Sequence, residues 1–196
     1  MENQLKAMIH GEIDKSLRTL EAIRSDAPLL EAVEHIALHC VARLKAGNKV
    51  LFAGNGGSAA DAQHLAGEFV SRFNYDRPGL AGIAITTDTS VMTAIGNDYG
   101  YEYVFARQIE SLAREGDVFI ALSTSGKSPN ILAAITAAKA LGVYVVGMTG
   151  HSGGAMLDAC DAIIRVPSSE TPKVQEGHIV LGHILCGLVE SLYFPR

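Results

Sequence analysis

The feature that most constrains the fold is an alternation, from Lys49 onwards, of short β-rich runs with helical stretches. Five apolar runs, each ending near Gly, Ser or Thr, carry this pattern: 50–53, 82–86, 118–123, 143–149 and 162–166. Buried parallel strands are continuously apolar and are joined by crossover helices, so the pattern predicts a doubly wound α/β fold with a five-stranded parallel sheet of flavodoxin type. Ligands of such sheets bind beyond the carboxyl ends of the strands.

Two helical patterns precede the first strand, and a third closes the chain. Apolar residues recur at helical spacing on both sides of Asp26, which predicts a pair of amino-terminal helices over about 1–46. We expect this pair to be an extension of a single domain that spans 1–196. The last helix begins near Pro172 and is apolar on more than one face, which favours burial against another chain.

Composition excludes several classes of protein. Of the 196 residues, 48% are hydrophobic and 19% are charged, and the net charge is -5, so a folded globular chain is expected. Without a Lys/Arg cluster, nucleic acid is excluded as a primary ligand. Because the sequence has neither a secretion signal nor a run long enough to cross a bilayer, we expect a cytoplasmic protein with no membrane partner. The three cysteines have no CxxC spacing, as is typical of reduced thiols.

The loop after the first predicted strand, GNGGSA at 54–59, leads directly into a helix. Glycines permit close backbone approach, and the amides and dipole of a helix start attract an anion. The loop matches the G-x-G-x-x-A form of the dinucleotide fingerprint, but the acidic residue expected about 20 positions later is missing. A tight turn without a ligand is the alternative interpretation.

A second polar loop, STSGKS at 123–128, follows the third predicted strand and precedes Pro129 at the expected first helical position. Its GKS triplet resembles the end of a P-loop, but Ala121 stands where that motif requires its first glycine, which argues against a nucleoside triphosphate. Four hydroxyls and several amides at a helix start would instead suit one phosphate monoester. A hydroxyl-capped helix without a ligand is the alternative.

Candidate metal and acid–base groups occur on two predicted helices. His64 and Glu68 are four residues apart and share one helix face, which suits a divalent metal, particularly zinc, although a solvated pair has the same spacing. Polar groups within an apolar helix need partners. The last helix adds Gln175, Glu176, His178 and His183.

Two further patterns are ambiguous. Glu31, His35 and His39 are spaced by fours on the second helix, but neighbouring charged residues favour an exposed face rather than a metal site. The run NDYG at 97–100 has the residue types of a turn, and it could also present an amide and a carboxylate to a sugar.

The ordered set of motifs resembles the phosphoheptose isomerases of the sugar-isomerase (SIS) fold over nearly the whole chain. The motifs are GNGGSA at 54–59, the pair His64 and Glu68, TTD at 86–88, IGNDYG at 95–100, STSG at 123–126 and QEGH at 175–178 followed by His183. The resemblance implies conversion of sedoheptulose 7-phosphate to D-glycero-D-manno-heptose 7-phosphate, the first step towards the ADP-heptose of bacterial lipopolysaccharide core. It also implies a cytoplasmic homotetramer that binds zinc.

Matching motifs also imply residue roles. The zinc ligands would be His64, Glu68, Gln175 and His183, with Glu68 and His183 also the acid–base pair. The sugar phosphate would contact Asn55, Gly56, Gly57, Ser58, Glu68, Asn97, Asp98, Ser123, Thr124, Ser125, Ser128 and Gln175. The alternative is a non-catalytic SIS-fold regulatory or scaffold protein, such as a replication-initiator-associated protein, but the filled acid–base and metal positions favour an enzyme. Whether zinc acts in the chemistry or only holds its ligands stays open.

Helix geometry constrains this ligand set. Gln175 and His183 are eight residues apart, so one continuous helix would separate them by about 12 Å along its axis and about 80° around it. Metal bonds of about 2 Å cannot be made to one ion from both positions without long side-chain reach. Either the helix starts after Gln175 and the chain folds back, or the ligands come from different subunits; we predict a site shared between chains.

Overall fold

The computed structural model describes residues 2–196, and within them the strands form one five-stranded parallel sheet in the order β2-β1-β3-β4-β5. The strands are β1 (Val50–Ala53), β2 (Gly82–Ala84), β3 (Val118–Leu122), β4 (Tyr144–Thr149) and β5 (Ala162–Arg165). The predicted fold class is confirmed, and each predicted strand agrees with the observed one to within about two residues, the usual uncertainty of strand ends.

Helices cover both faces of the sheet. They are α1 (Glu2–Ser25), α2 (Ala27–Lys45), α3 (Gly57–Val70), α4 (Thr89–Asp98), α5 (Ala106–Leu112), α6 (Pro129–Ala140) and α7 (Thr171–Tyr193). Val50 and Phe52 of β1 point to a core shared with α2, α3 and α7, whereas Leu51 and Ala53 point to a core shared with α5 and α6. This period-two division is what a strand buried on both faces requires.

The predicted amino-terminal helix pair is present. Asp26 ends the first helical pattern and caps α2, because its Oδ1 accepts a hydrogen bond from the Leu29 amide at 3.1 Å. Pro28 lies in the first turn of α2, where its missing N–H costs nothing. The break between the two predicted helices therefore has a local cause that is visible in the sequence.

A stripe of large apolar side chains on α1 is exposed, and we name it the α1 stripe. It consists of Leu5, Met8, Ile9, Ile13, Leu17 and Leu20, with exposed fractions from 37% to 69%. A second apolar surface, the α2–α7 groove, includes Leu30, Leu38, Ile184 and Leu192. Large exposed apolar areas mark interaction surfaces. Among residues 2–196, no helix combines the length and apolarity that crossing a membrane needs.

The sheet order puts a ligand crevice between β1 and β3. These strands are neighbours, with Ala53 opposite Ala121, but the chain leaves β1 towards β2 on one side and leaves β3 towards β4 on the other. A crevice opens beyond the carboxyl ends of two strands whose connections diverge in this way. The loops at 54–59 and 123–128 line this crevice.

Candidate functional site

A reciprocal amide pair joins the first loop to the start of α6. Asn55 Nδ2 donates to Asn130 Oδ1 at 2.8 Å, and Asn130 Nδ2 donates to Asn55 Oδ1 at 2.8 Å. The Tyr101 hydroxyl donates to the same Asn55 oxygen at 3.2 Å. Because these contacts occupy the carbonyl and one N–H of Asn55, the other N–H can donate to a ligand. These side chains line a cavity of about 350 Å³.

The second loop is a compact turn held by its own hydroxyls. The Oγ atoms of Ser123 and Ser128 lie 2.9 Å apart, and Ser125 Oγ accepts a hydrogen bond from the Lys127 amide at 3.2 Å. Gly126 has a φ of +64°, and a Cβ there would overlap the carbonyl of Gly153. The Ser128 side chain makes no capping bond to α6. The loop therefore presents hydroxyls and a helix N-terminus to the crevice, and we call it the hydroxyl cradle.

Two imidazoles and a carboxylate converge from α3 and α7. His64 Nε2 is 2.8 Å from His183 Nε2 and 3.3 Å from Glu68 Oε1. One ligand atom from each of the three residues lies within 4.8 Å of those of the other two. Tetrahedral zinc with bonds of about 2 Å holds its ligand atoms about 3.3 Å apart, so this donor set fits such an ion.

Close packing of α3 against α7 produces this convergence. A Cβ at Gly182 would lie 2.7 Å from Leu65 Cδ2, so glycine is needed for the two helices to approach here. His64 precedes Leu65 and His183 follows Gly182, and the rings meet edge to face with centroids 5.0 Å apart. The small residue therefore positions the pair of histidines.

Gln175 lies at the opposite end of the same helix contact. A Cβ at Gly57 would overlap the Gln175 amide, so that amide covers the first turn of α3. Because α7 runs unbroken from Thr171 to Tyr193, a helix that begins after Gln175 is excluded. Gln175 and His183 are separated by about 12 Å along one helix axis, as the residue spacing requires.

Two other candidate groups lie on α4 and α2. Asn97 and Asp98 are the exposed last residues of α4, where Asn97 Nδ2 donates to Asp98 Oδ1 at 2.8 Å, so the predicted turn begins only at Tyr99. On α2, His35 is exposed and His39 stacks on Tyr144 with centroids 3.8 Å apart, in agreement with the surface interpretation of that helix.

Comparison with known proteins identifies the family. The SIS domain model matches residues 13–150. The phosphoheptose isomerase of Burkholderia pseudomallei strain K96243 is 59% identical over the full length of both chains. The chain belongs to the phosphoheptose isomerase family. A phosphoheptose isomerase from Aneurinibacillus thermoaerophilus is 55% identical over 95% of this chain and 94% of that protein. The solved phosphoheptose isomerase GmhA of Neisseria gonorrhoeae has a TM-score of 0.90 and 38% identity, and the match covers 95% and 99% of the two chains.

The sequence patterns did not reveal three polar residues beside the site: Asn130, Tyr101 and Asp61. Asn130 and Tyr101 became visible only through their contacts with Asn55. Asp61 lies one turn before His64 on α3, and burial raises the pKa of its carboxyl group, although His64 and His183 oppose that effect. Its spacing of three residues from His64 was the available signal.

His178 is a buried polar group on α7. Its side chain is fully buried, and neither ring nitrogen has a well-formed hydrogen bond within residues 2–196. Burial lowers the pKa of His178 to about 4, and the backbone of Thr149 opposes this only in part. The imidazole is therefore neutral in the folded protein at physiological pH.

This lowered pKa predicts acid sensitivity. Since the unfolded chain binds a proton at His178 below about pH 6.5 and the folded chain does not, its contribution to stability is complete above that pH and is lost towards pH 4. Between pH 7 and pH 4.5 we expect a loss of roughly 2 to 3 kcal/mol. Urea unfolding at fixed protein concentration measures it. His178→Leu should reduce the pH dependence by that amount, whereas the exposed-residue control His151→Leu should leave it unchanged; equal slopes in wild type and His178→Leu would refute the assignment.

Proposed function

We propose that this protein converts sedoheptulose 7-phosphate to D-glycero-D-manno-heptose 7-phosphate, in the cytoplasm, as the first step towards ADP-heptose for lipopolysaccharide core. The observation that carries the proposal is the convergence of His64, Glu68 and His183 from two helices. A crevice with an anion-binding cradle on the same chain supports a phosphorylated substrate. Full-length similarity to phosphoheptose isomerases supports the substrate class.

Glu68 and His183 would move the protons of the reaction. Conversion of a ketose to an aldose requires removal of a proton from C1, an enediol intermediate and return of a proton to C2. A carboxylate suits the carbon-to-carbon transfer, so Glu68 is the proposed base. His183 would carry a proton between the two substrate oxygens, a role that suits an imidazole at neutral pH.

Zinc is the proposed metal, held by His64, Glu68 and His183 together with Gln175. Two imidazoles and a carboxylate are the ligand types of catalytic zinc sites. When bound, the ion would polarise a carbonyl or hydroxyl oxygen of the substrate, or it would only hold its ligands in place.

The phosphate would bind in the hydroxyl cradle. Ser123, Thr124, Ser125 and Ser128 supply donors, and Asn55 with the amides of Gly56, Gly57 and Ser58 would hold the sugar, as would Asn97 and Asp98. Binding energy from a phosphate remote from the reacting carbons can orient the substrate for proton transfer.

One chain would not form a complete site. Gln175 covers Gly57 at the first turn of α3, the end of that helix that lies at the crevice. Glu68 is eleven residues further along the helix, about 16 Å away. A sugar phosphate held in the cradle of one subunit would therefore meet the His64, Glu68 and His183 cluster of another. Gln175 would belong to the cradle side of this shared site.

A homotetramer is the proposed assembly. The α1 stripe and the α2–α7 groove are two apolar surfaces, and each would be covered by another copy of the chain. Two distinct self-contacts per chain are what a closed tetramer with dihedral symmetry needs. Ile184 and Leu192 of α7 line the α2–α7 groove. A copy of the chain packed there would lie against the helix that carries His183, which supports a site built between subunits.

The deciding experiment is a turnover assay. Purified protein is incubated with sedoheptulose 7-phosphate, and the aldose product is followed by chromatography. We expect formation of heptose 7-phosphate. Binding of the sugar phosphate without conversion would instead support the regulatory or scaffold alternative.

Loss of one cradle hydroxyl is expected to weaken substrate binding. Ser125→Ala removes a donor to a charged phosphate oxygen, a loss of roughly 1.5 to 3 kcal/mol, or about 10- to 100-fold in Kd. Calorimetry in a Glu68→Gln background measures binding without turnover. The matched control Ser111→Ala, an exposed serine on α5, should have no effect. If Ser125→Ala leaves Kd unchanged, the phosphate binds elsewhere.

Metal removal tests the role of zinc. We expect strong chelation to lower activity and added zinc to restore it, because the cluster then regains its ion. Metal content measured by mass spectrometry should follow activity. Full activity in metal-free protein would make the ion an incidental occupant.

A further inference from the structure

A buried ion pair lies behind the proposed catalytic groups. Arg77, in the segment between α3 and β2, has its Nε 3.0 Å from Oε1 of Glu190 near the end of α7, and the side chains are 3% and 0% exposed. Burial raises the pKa of Glu190, but amide hydrogen bonds from Phe73 and Asn74 and the charge of Arg77 outweigh it, so the group is held below its usual pKa. A buried pair of this kind contributes little net stability, which suggests another role.

On the α3 side, Arg77 fixes the end of the helix that carries Glu68. Its Nη2 donates to the Glu68 carbonyl at 2.7 Å, and its Nη1 donates to the carbonyls of Phe69 at 2.7 Å and Ser71 at 2.9 Å. The last carbonyls of a helix have no intrahelical partner, so an arginine fork can hold them in one arrangement. The backbone from which the Glu68 side chain projects is thereby fixed.

On the α7 side, Glu190 fixes an aromatic ring beside His183. Its carboxylate accepts from the amides of Phe73 at 2.8 Å and Asn74 at 2.7 Å. The Phe73 ring lies 5.6 Å from the His183 ring between centroids. Gly187 leaves room for the Phe73 ring, because a Cβ at that position would be 3.3 Å from Phe73 Cε1. The imidazole is therefore confined by a ring that Glu190 holds in place.

We propose that Arg77 and Glu190, acting through Phe73, are positioning residues that hold Glu68 and His183 in register for proton transfer. This inference rests on the proposed isomerase function. The two catalytic groups lie on different helices, and the ion pair connects the backbone of one to the packing of the other. A displacement of about 1 Å at a reacting group can cost about 100-fold in rate.

The test compares kcat and KM for sedoheptulose 7-phosphate in Glu190→Gln and Arg77→Lys. We expect kcat to fall by about 10- to 100-fold while KM changes by less than about twofold, because the cradle is untouched. Phe73→Leu should also lower kcat. If Glu190→Gln does not fold, Arg77→Lys and Phe73→Leu decide the outcome by the same criterion.

A second ion pair, which is partly buried, supplies the matched control. Lys49 and Asp117 pair at the amino ends of β1 and β3, the edge of the sheet opposite the crevice, with side chains 22% and 2% exposed. Asp117→Asn should lower the melting temperature without lowering kcat. Unchanged kcat in folded Arg77→Lys and Phe73→Leu, or an equal loss of kcat in Asp117→Asn, would overturn the positioning role. Failure of the proposed function itself would appear separately, as no conversion of sedoheptulose 7-phosphate by the wild-type protein.

Discussion

Replacing Glu68 with glutamine is expected to reduce turnover by about 10²- to 10⁴-fold while the protein stays folded. The amide keeps the shape of the side chain and its place on α3 but cannot accept a proton from carbon. Measurement of kcat with sedoheptulose 7-phosphate, together with circular dichroism and sedimentation, separates loss of chemistry from loss of structure.

The matched control is Glu110→Gln. Glu110 is an exposed residue on α5, on the face of the sheet opposite α3 and α7. The same change of charge there should leave kcat unaltered. Retention of most of the activity in Glu68→Gln would remove Glu68 from the role of base.

Mixing two inactive variants is expected to restore activity. Gln175→Ala and His183→Ala each damage one side of the proposed shared site. If subunits exchange freely, about one quarter of the sites in an equal mixture would combine an intact Gln175 with an intact His183, and activity should rise to about 25% of wild type. The measurement is the turnover assay before and after exchange, with exchange verified by native mass spectrometry.

A second mixture makes this experiment decisive. Glu68 and His183 converge within one chain, so a mixture of Glu68→Gln with His183→Ala contains no intact cluster and should stay inactive. Recovery in the first mixture alone indicates a site shared between chains. If both mixtures stay inactive after verified exchange, each site is built within one chain.

Local patterns determined the secondary structure and the order of the motifs. Continuous apolar runs specify β1 to β5, and Asp26 and Pro28 specify the start of α2, because burial periodicity and capping act over a few residues. The two polar loops could be placed at the crevice since parallel strands all end at one edge. Less of α4 could be predicted: none of its residues is buried, and its end falls in the run NDYG, whose residue types are those of a turn.

Tertiary structure alone decided which distant side chains meet. Asn55 and Asn130 are 75 residues apart, His64 and His183 are 119 apart, and Arg77 and Glu190 are 113 apart. The sequence determined the residue types, the helix faces and the separation of about 12 Å along one helix between Gln175 and His183. It did not determine these pairings, because they depend on how α3, α6 and α7 pack, and that packing is a property of the whole core rather than of any local segment.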